Sequence, residues 1–186
     1  MGVEMAFKLK PRLIHNMEEA QEVLNRLADP TQKEVVYDCE TNGLDYRDSV
    51  IVGHVFTFGR LPQDTYYVPV RHGRGGNILE ANETSYVDTP HPFELEFNKH
   101  TLNPNKHWIG HHFMFDLRML MRHGIRVLGR VEDTEVNAAI LDENQYSYSL
   151  EACCISTNTT PKLGTDLYQH LAHKFGGTPD RKSQMG

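Results

Sequence analysis

The 186 residues predict a single domain of α/β or α+β class with a mixed sheet. Two patterns and the composition predict it. Three β-rich segments follow one another at hairpin-like distances between residues 34 and 70, so an antiparallel meander opens the sheet. Beyond residue 107 a short apolar segment alternates with apolar repeats of three and four, the mark of helices. The composition, 39% hydrophobic with 14 Gly and 9 Pro, is that of an ordinary globular chain. At this length folding buries roughly 70% of the surface exposed by the unfolded chain, so the core needs neither disulfide nor structural metal.

Residues 12–15 read as a short strand. In the helix predicted over 17–28, Met17, Ala20, Val23, Leu24 and Leu27 share one face, and Asp29-Pro30 ends it. Residues 34–40 are dense in β-formers and run into the turn pair Asn42-Gly43. Strands follow over 49–58 and 65–70. From Arg71 to Pro92 the chain is polar and Gly-rich without periodicity, which reads as a long loop of the kind that more often serves function than accident. Residues 108–110 form a short buried strand. It feeds a helix striped by Phe113, Leu117, Leu120 and Met121 and closed by Gly124. Helices over 133–141, 149–155 and 165–175 complete the chain.

The formal charge of -6, from 19 basic and 25 acidic residues, argues against a broad basic surface that coats nucleic acid. It leaves room for a nuclease that clusters carboxylates around metal ions. No apolar run approaches the ~20 residues of a membrane span, and no targeting segment is visible. Cys39 stands far from the adjacent Cys153 and Cys154, so there is neither a Cys-x-x-Cys pair nor an even framework. A reducing compartment, the cytoplasm, is the expected location.

Side chains alternate along the strand at 34–40, so Asp38 and Glu40 share one face while Tyr37 and Cys39 take the other. Their Cα atoms are about 7 Å apart, close enough to converge on a divalent ion or an ion pair. An edge strand with two solvated acids is the plain alternative. Asp116 lies in the first turns of a helix beside its apolar stripe, where a carboxylate must be paired, ligate a metal, or simply exploit the positive helix end.

These segments resemble a known family. Val36-Tyr-Asp-Cys-Glu-Thr-Asn-Gly-Leu-Asp45, Tyr67-Val-Pro-Val-Arg-His72, Ile109-Gly-His-His-Phe-Met-Phe-Asp-Leu-Arg-Met-Leu120, Glu132-Asp-Thr and Ser147-Tyr-Ser-Leu-Glu-Ala152 look like the 3′→5′ proofreading exonuclease domain of A-family DNA polymerases, including phage types. The order and spacing match from about residue 34 to 155. The resemblance implies an RNase H-like α/β fold, a mixed sheet flanked by helices. It also implies a site where four carboxylates hold two Mg²⁺ or Mn²⁺ ions and cut the 3′ end of single-stranded DNA. Asp38 and Glu40 match the first motif and Asp116 the second. Thr41 and Leu44 match positions lining the path of the terminal nucleotides, with Leu44 as an apolar wedge. His112 stands where the family commonly has Asn.

The family's last motif, Tyr-x-x-x-Asp or His-x-x-x-x-Asp, is not matched. No Tyr has an Asp four positions on, and His111 reaches only Asp116, already assigned. Asp166 and Asp180 are the remaining stand-ins. The expectation is one exonuclease domain over residues 1–186, truncated at its C-terminal side and followed by a polymerase domain in a longer chain, so the fragment's own activity is a separate question. An RNase D-like RNA exonuclease and a non-catalytic nucleic-acid-binding module of the same fold are the alternatives.

Other residues have plain readings. His107, His111 and His112 lack a Cys partner for zinc. Arg71, Arg74 and Lys99 read as a solvated face before phosphate contacts. Arg118 and Arg122, one helical step apart, either approach nucleic acid or flank their helix. Trp108 reads as core, and Cys153 and Cys154 as packing thiols.

Overall fold

A computed structural model describes residues 11–73, 76–79 and 90–159. Its described elements are β1 (Arg12–Leu13), α1 (Met17–Ala28), β2 (Glu34–Thr41), β3 (Ile51–Thr57), β4 (Thr65–Pro69), α2 (Pro92–Thr101), β5 (His107–Gly110), α3 (Phe113–Arg122), β6 (Arg130–Asp133), α4 (Thr134–Leu141) and α5 (Leu150–Ser156). The chain divides after Asp133 into two units.

The first unit is a six-stranded mixed sheet in the order β1-β4-β3-β2-β5-β6. β2, β3 and β4 are the antiparallel meander, β5 and β6 run parallel to β2, and β1 runs parallel to β4. α1 begins at Asn16, whose side chain accepts from the Glu19 amide at 2.8 Å while Glu19 accepts from the His15 amide at 2.9 Å, so two otherwise orphan donors are satisfied reciprocally. Its face of Ala20, Val23, Leu24 and Leu27 is buried, as the spacing predicts. Aromatic rings fill the core. Tyr37 packs against Phe56, Phe97 and Trp108, with centroids 5.4–6.3 Å apart, and Trp108 is fully buried as expected.

Two elements escape the sequence reading. α2 carries only Phe93 and Phe97 as large buried apolar side chains, and its helical start is set by a capping box of His91 and Glu94 with Pro92 in the first turn. β6 is a four-residue edge strand with one apolar residue, Val131, and shows no alternation. The predicted helix over 165–175 lies outside the described residues, as does most of the loop expected after Arg71.

Arg71 corrects an expectation. It is not a solvated phosphate contact but a buried guanidinium that binds Glu94 through both terminal nitrogens and donates to the Ile51 carbonyl at 3.1 Å. Arg74 lies outside the described residues. Lys99 is exposed and pairs with Glu96 at 2.7 Å.

In the second unit α5 starts at Ser149, whose hydroxyl accepts from the Ala152 amide, and neither α4 nor α5 has a fully buried residue among those described. Cys153 and Cys154 are half-buried on α5. No helix among the described residues is long and apolar enough to cross a membrane.

Candidate functional site

The ladder between β2 and β5 stops at Val36 and Ile109, while β2 continues five residues further, paired only with β3. Beyond that point β2 has an open edge at the C-terminal end of two parallel strands, the usual location of a site in open α/β sheets. Asp38 and Glu40 lie on this stretch and face solvent, with Tyr37 and Cys39 buried on the other side. The predicted alternation holds residue by residue.

α3 leaves β5 and lays Asp116 against the open edge. Asp116 Oδ1 accepts from the Cys39 amide at 2.8 Å, supplying the partner that β5 no longer provides. The residue is buried, at 3% exposure. Burial, together with the negative charge of Asp38, pushes its pKa up to about 7 against the bonds it receives from Cys39. Burial and the nearby acids also push the Cys39 thiol up, so it stays protonated.

The start of α3 is set by Asp133 at the end of β6. Its two carboxylate oxygens accept from the His112 amide at 3.0 Å and the Phe113 amide at 2.8 Å. His112 itself is left-handed, at φ 56° and ψ 39°, and exposed. Asn, Asp and His are the non-glycine residues that best tolerate this region, which is a backbone reason for His where the related family commonly has Asn. Its side chain makes no cap bond.

A register shift separates Glu40 from Thr41, so Glu40 pairs with Gly53 and Thr41 with Ile51. The Thr41 hydroxyl donates to the Gly43 carbonyl at 2.6 Å, turning the chain into a loop on which Leu44 is 90% exposed. Tyr67 and His72 escape the sequence reading as site residues. Gly53 has no side chain, and the Tyr67 ring lies over it; a Cβ there would fall 2.1 Å from the hydroxyl. This places Tyr67 and His72, which share a 2.5 Å hydrogen bond, within the electrostatic reach of Glu40. A glycine inside a strand, opposite a carboxylate, is the signal that marks such a close approach.

Asp116 thus lies beside the strand end that carries Asp38 and Glu40, with Thr41, Leu44 and His112 on the two chain segments leaving it. Among the described residues no group of three or more His, Cys, Asp or Glu is already gathered to hold a metal ion. Asp166 and Asp180 lie outside the described residues.

A family model described as 3′-5′ exonuclease matches residues 11–160. The chain belongs to that family and is related to the exonuclease domains of A-family DNA polymerases; it is an exonuclease domain, of the hydrolase class. The DNA polymerase DpoZ of Acinetobacter phage SH-Ab 15497 is 28% identical over 155 residues, covering 82% of this chain and 21% of the polymerase. RNase D of Trypanosoma brucei shares the fold with a TM-score of 0.64 at 14% identity, covering 96% of this chain and 58% of that one. Brucella melitensis NrnC, solved with bound Mg²⁺, shares it with a TM-score of 0.52 at 15% identity, covering 94% and 69%. The RNase H-like mixed sheet is therefore the fold, and the chain spans only a small part of the phage polymerases it matches, 12–22% of their length.

Proposed function

We propose that this chain is a metal-dependent 3′→5′ exonuclease domain that trims single-stranded DNA 3′ ends, a proofreading unit of a larger A-family polymerase acting in the cytoplasm of a bacterium or phage-infected cell. The observation that carries the reading is the bond from the Cys39 amide to Asp116, which sets that carboxylate against the stretch of β2 that exposes Asp38 and Glu40. Its relatives among phage DNA polymerases support DNA over RNA.

The donor set suits a hard cation. Every candidate ligand is a carboxylate oxygen, and the raised pKa of Asp116 reflects burial and a like charge nearby, both of which a divalent cation would offset. Asp38, Glu40 and Asp116 are the residues that would hold Mg²⁺ or Mn²⁺, with a fourth carboxylate supplied from outside the described residues. Two such ions would supply activation of water and stabilisation of the leaving 3′-oxygen in an in-line displacement. The protein's part is positioning. Asp133 fixes the start of α3, and Cys39 fixes the carboxyl of Asp116. Leu44 offers an exposed apolar surface to the terminal base, Thr41 sits at its root, and His112 flanks the entrance from α3.

The test pairs hydrolysis with metal binding. The chain is incubated with Mn²⁺ and 5′-labelled single-stranded DNA or RNA of one sequence, beside Asp38→Ala, while a Mn²⁺ titration by electron paramagnetic resonance reads the site without turnover. The expected result is an Asp38-dependent Mn²⁺ site and a ladder shortening from the 3′ end, faster on DNA. Faster trimming of RNA would assign the chain to RNase D-like exonucleases. Loss of both signals would leave a non-catalytic binding module.

A further inference from the structure

The loop from β2 to β3 and the outer face of α3 enclose a groove of about 560 Å³, lined by Tyr46, Arg47, Arg118, Met121 and Arg122. That volume lies in the range of small-ligand sites, roughly 300–1,000 Å³. Its charge is unlike that of the chain. Arg47 is neutralised by Asp45 through bonds of 2.9 and 2.6 Å, but among the described residues Arg118 and Arg122 pair with no carboxylate. Two uncompensated guanidiniums on a chain of net charge -6 mark a place that selects for anions.

The groove also carries flat apolar surface. Arg118 stands 5.7 Å from the centroid of the Tyr46 ring, Tyr46 is 42% exposed and Met121 70%. Arg122 Nε donates to the Ser49 carbonyl at 3.0 Å, which anchors its head while its remaining N–H groups bond no other described residue. An exposed ring under one guanidinium, with a second, anchored guanidinium lining the same groove, is an arrangement that takes a base and its flanking phosphates together.

Its place in the fold ties it to the carboxylates. Both walls are built on the segments that carry the candidate site: Tyr46 follows Leu44 by two residues on one, and Arg118 follows Asp116 by two on the other, on the outward face of α3. α3 carries Arg122 about 6 Å further along its axis than Arg118. We propose that this groove is a second binding subsite, for the phosphates and one base of the single strand upstream of the nucleotides being cut. It rests on the reading of the chain as a single-strand exonuclease and adds to it a residue set that reads no sequence.

The test is equilibrium binding without metal. Fluorescence anisotropy of a 5′-labelled dT12 in EDTA is measured from 50 to 200 mM salt for the chain and for Arg118→Ala, Arg118→Lys, Tyr46→Ala and Arg60→Ala. Arg60 is a control in the turn after β3, at the end of that strand away from Ile51. Arg118→Ala and Tyr46→Ala should each weaken binding about tenfold with unchanged melting temperature. The slope of log affinity against log salt should fall by about 0.7 in Arg118→Ala and stay unchanged in Arg118→Lys. Affinity equal to the parent chain in both groove variants, an equal loss in Arg60→Ala, or no binding of dT12 at all would overturn the subsite. Failure of the exonuclease reading looks different: dT12 binding persists in EDTA while Asp38-dependent Mn²⁺ binding and trimming are absent.

Discussion

Asp116 accepts a 2.8 Å hydrogen bond from the amide of Cys39, the residue that separates Asp38 from Glu40 in sequence. One carboxylate from a helix thus completes the hydrogen bonding of the strand that carries the other two. The bond couples the spacing of the three acids to the pairing of the sheet, so the acids cannot drift apart without leaving a backbone donor unsatisfied.

This arrangement predicts a pH signature for the metal-free chain. The folded pKa of Asp116 is raised from 3.8 to about 7, so the native state binds this proton more tightly than the unfolded state does. The contribution is fully present below the unfolded value and is lost as pH rises through the folded one. Asp116→Asn keeps an oxygen for the Cys39 amide and removes the charge. It should therefore stabilise the metal-free chain at pH 8 by a few kcal/mol, at about 1.4 kcal/mol for each tenfold change in proton affinity, and change little at pH 4. Urea titrations at the two values check this, and stability of Asp116→Asn equal to the parent at pH 8 refutes it.

The left-handed backbone of His112 predicts a graded series at one position. His112→Asn should melt within about 0.5 kcal/mol of the parent, because Asn tolerates this region at least as well. His112→Val should cost about 1–2 kcal/mol, since a β-branched side chain clashes there. Circular dichroism melts of the two variants decide it, the expected order being parent and Asn together, Val well below.

Glu94 stands at the centre of a buried polar network. Burial alone would push its carboxyl up, but Arg71 with His123 and His54 holds it well below the usual carboxylate range. Burial keeps His54 mostly neutral; it accepts from the Tyr37 hydroxyl at 2.8 Å and donates to Glu94 at 3.2 Å. Arg71→Met should cost about 3–5 kcal/mol by stranding a buried charge, and adding Glu94→Leu should restore much of the loss. A double variant no more stable than Arg71→Met would contradict this.

Gly53 predicts a more local effect. Gly53→Ala places a methyl where the Tyr67 ring lies, so the ring must shift and its placement beside Glu40 and His72 is disturbed. Trimming by Gly53→Ala should slow by roughly tenfold, about 1.4 kcal/mol of barrier, with the melting temperature falling by only a few degrees. Tyr67→Phe, which keeps the ring over Gly53, should retain more activity than Gly53→Ala in the same assay.

The parts of this fold that were legible in the sequence are those where one residue's position decides its environment. α1 is readable because four apolar residues recur with the helical period, and β2 because Tyr37 and Cys39 alternate with Asp38 and Glu40. The burial of Asp116 follows from its neighbours on the stripe. α2 was not legible, because its start depends on a His91 cap and it hides a charged Glu94 that Arg71, 23 residues away, makes tolerable together with His54 and His123. Tyr67 reaches Glu40, two strands over, through the absence of a side chain at Gly53 on the strand between, and Asp133 reaches α3 across 20 residues. Such relations are set by pairing between strands, which no local period encodes.

The same carboxylate, Glu94, is grasped from both sides of the segment between Arg71 and Pro92: by the Arg71 side chain from one end and by the His91 amide at 3.0 Å from the other. The two ends are thus knotted at a single buried point. The C-terminal side of β4 and the start of α2 are therefore fastened to one another through one carboxylate, whatever chain joins them in sequence.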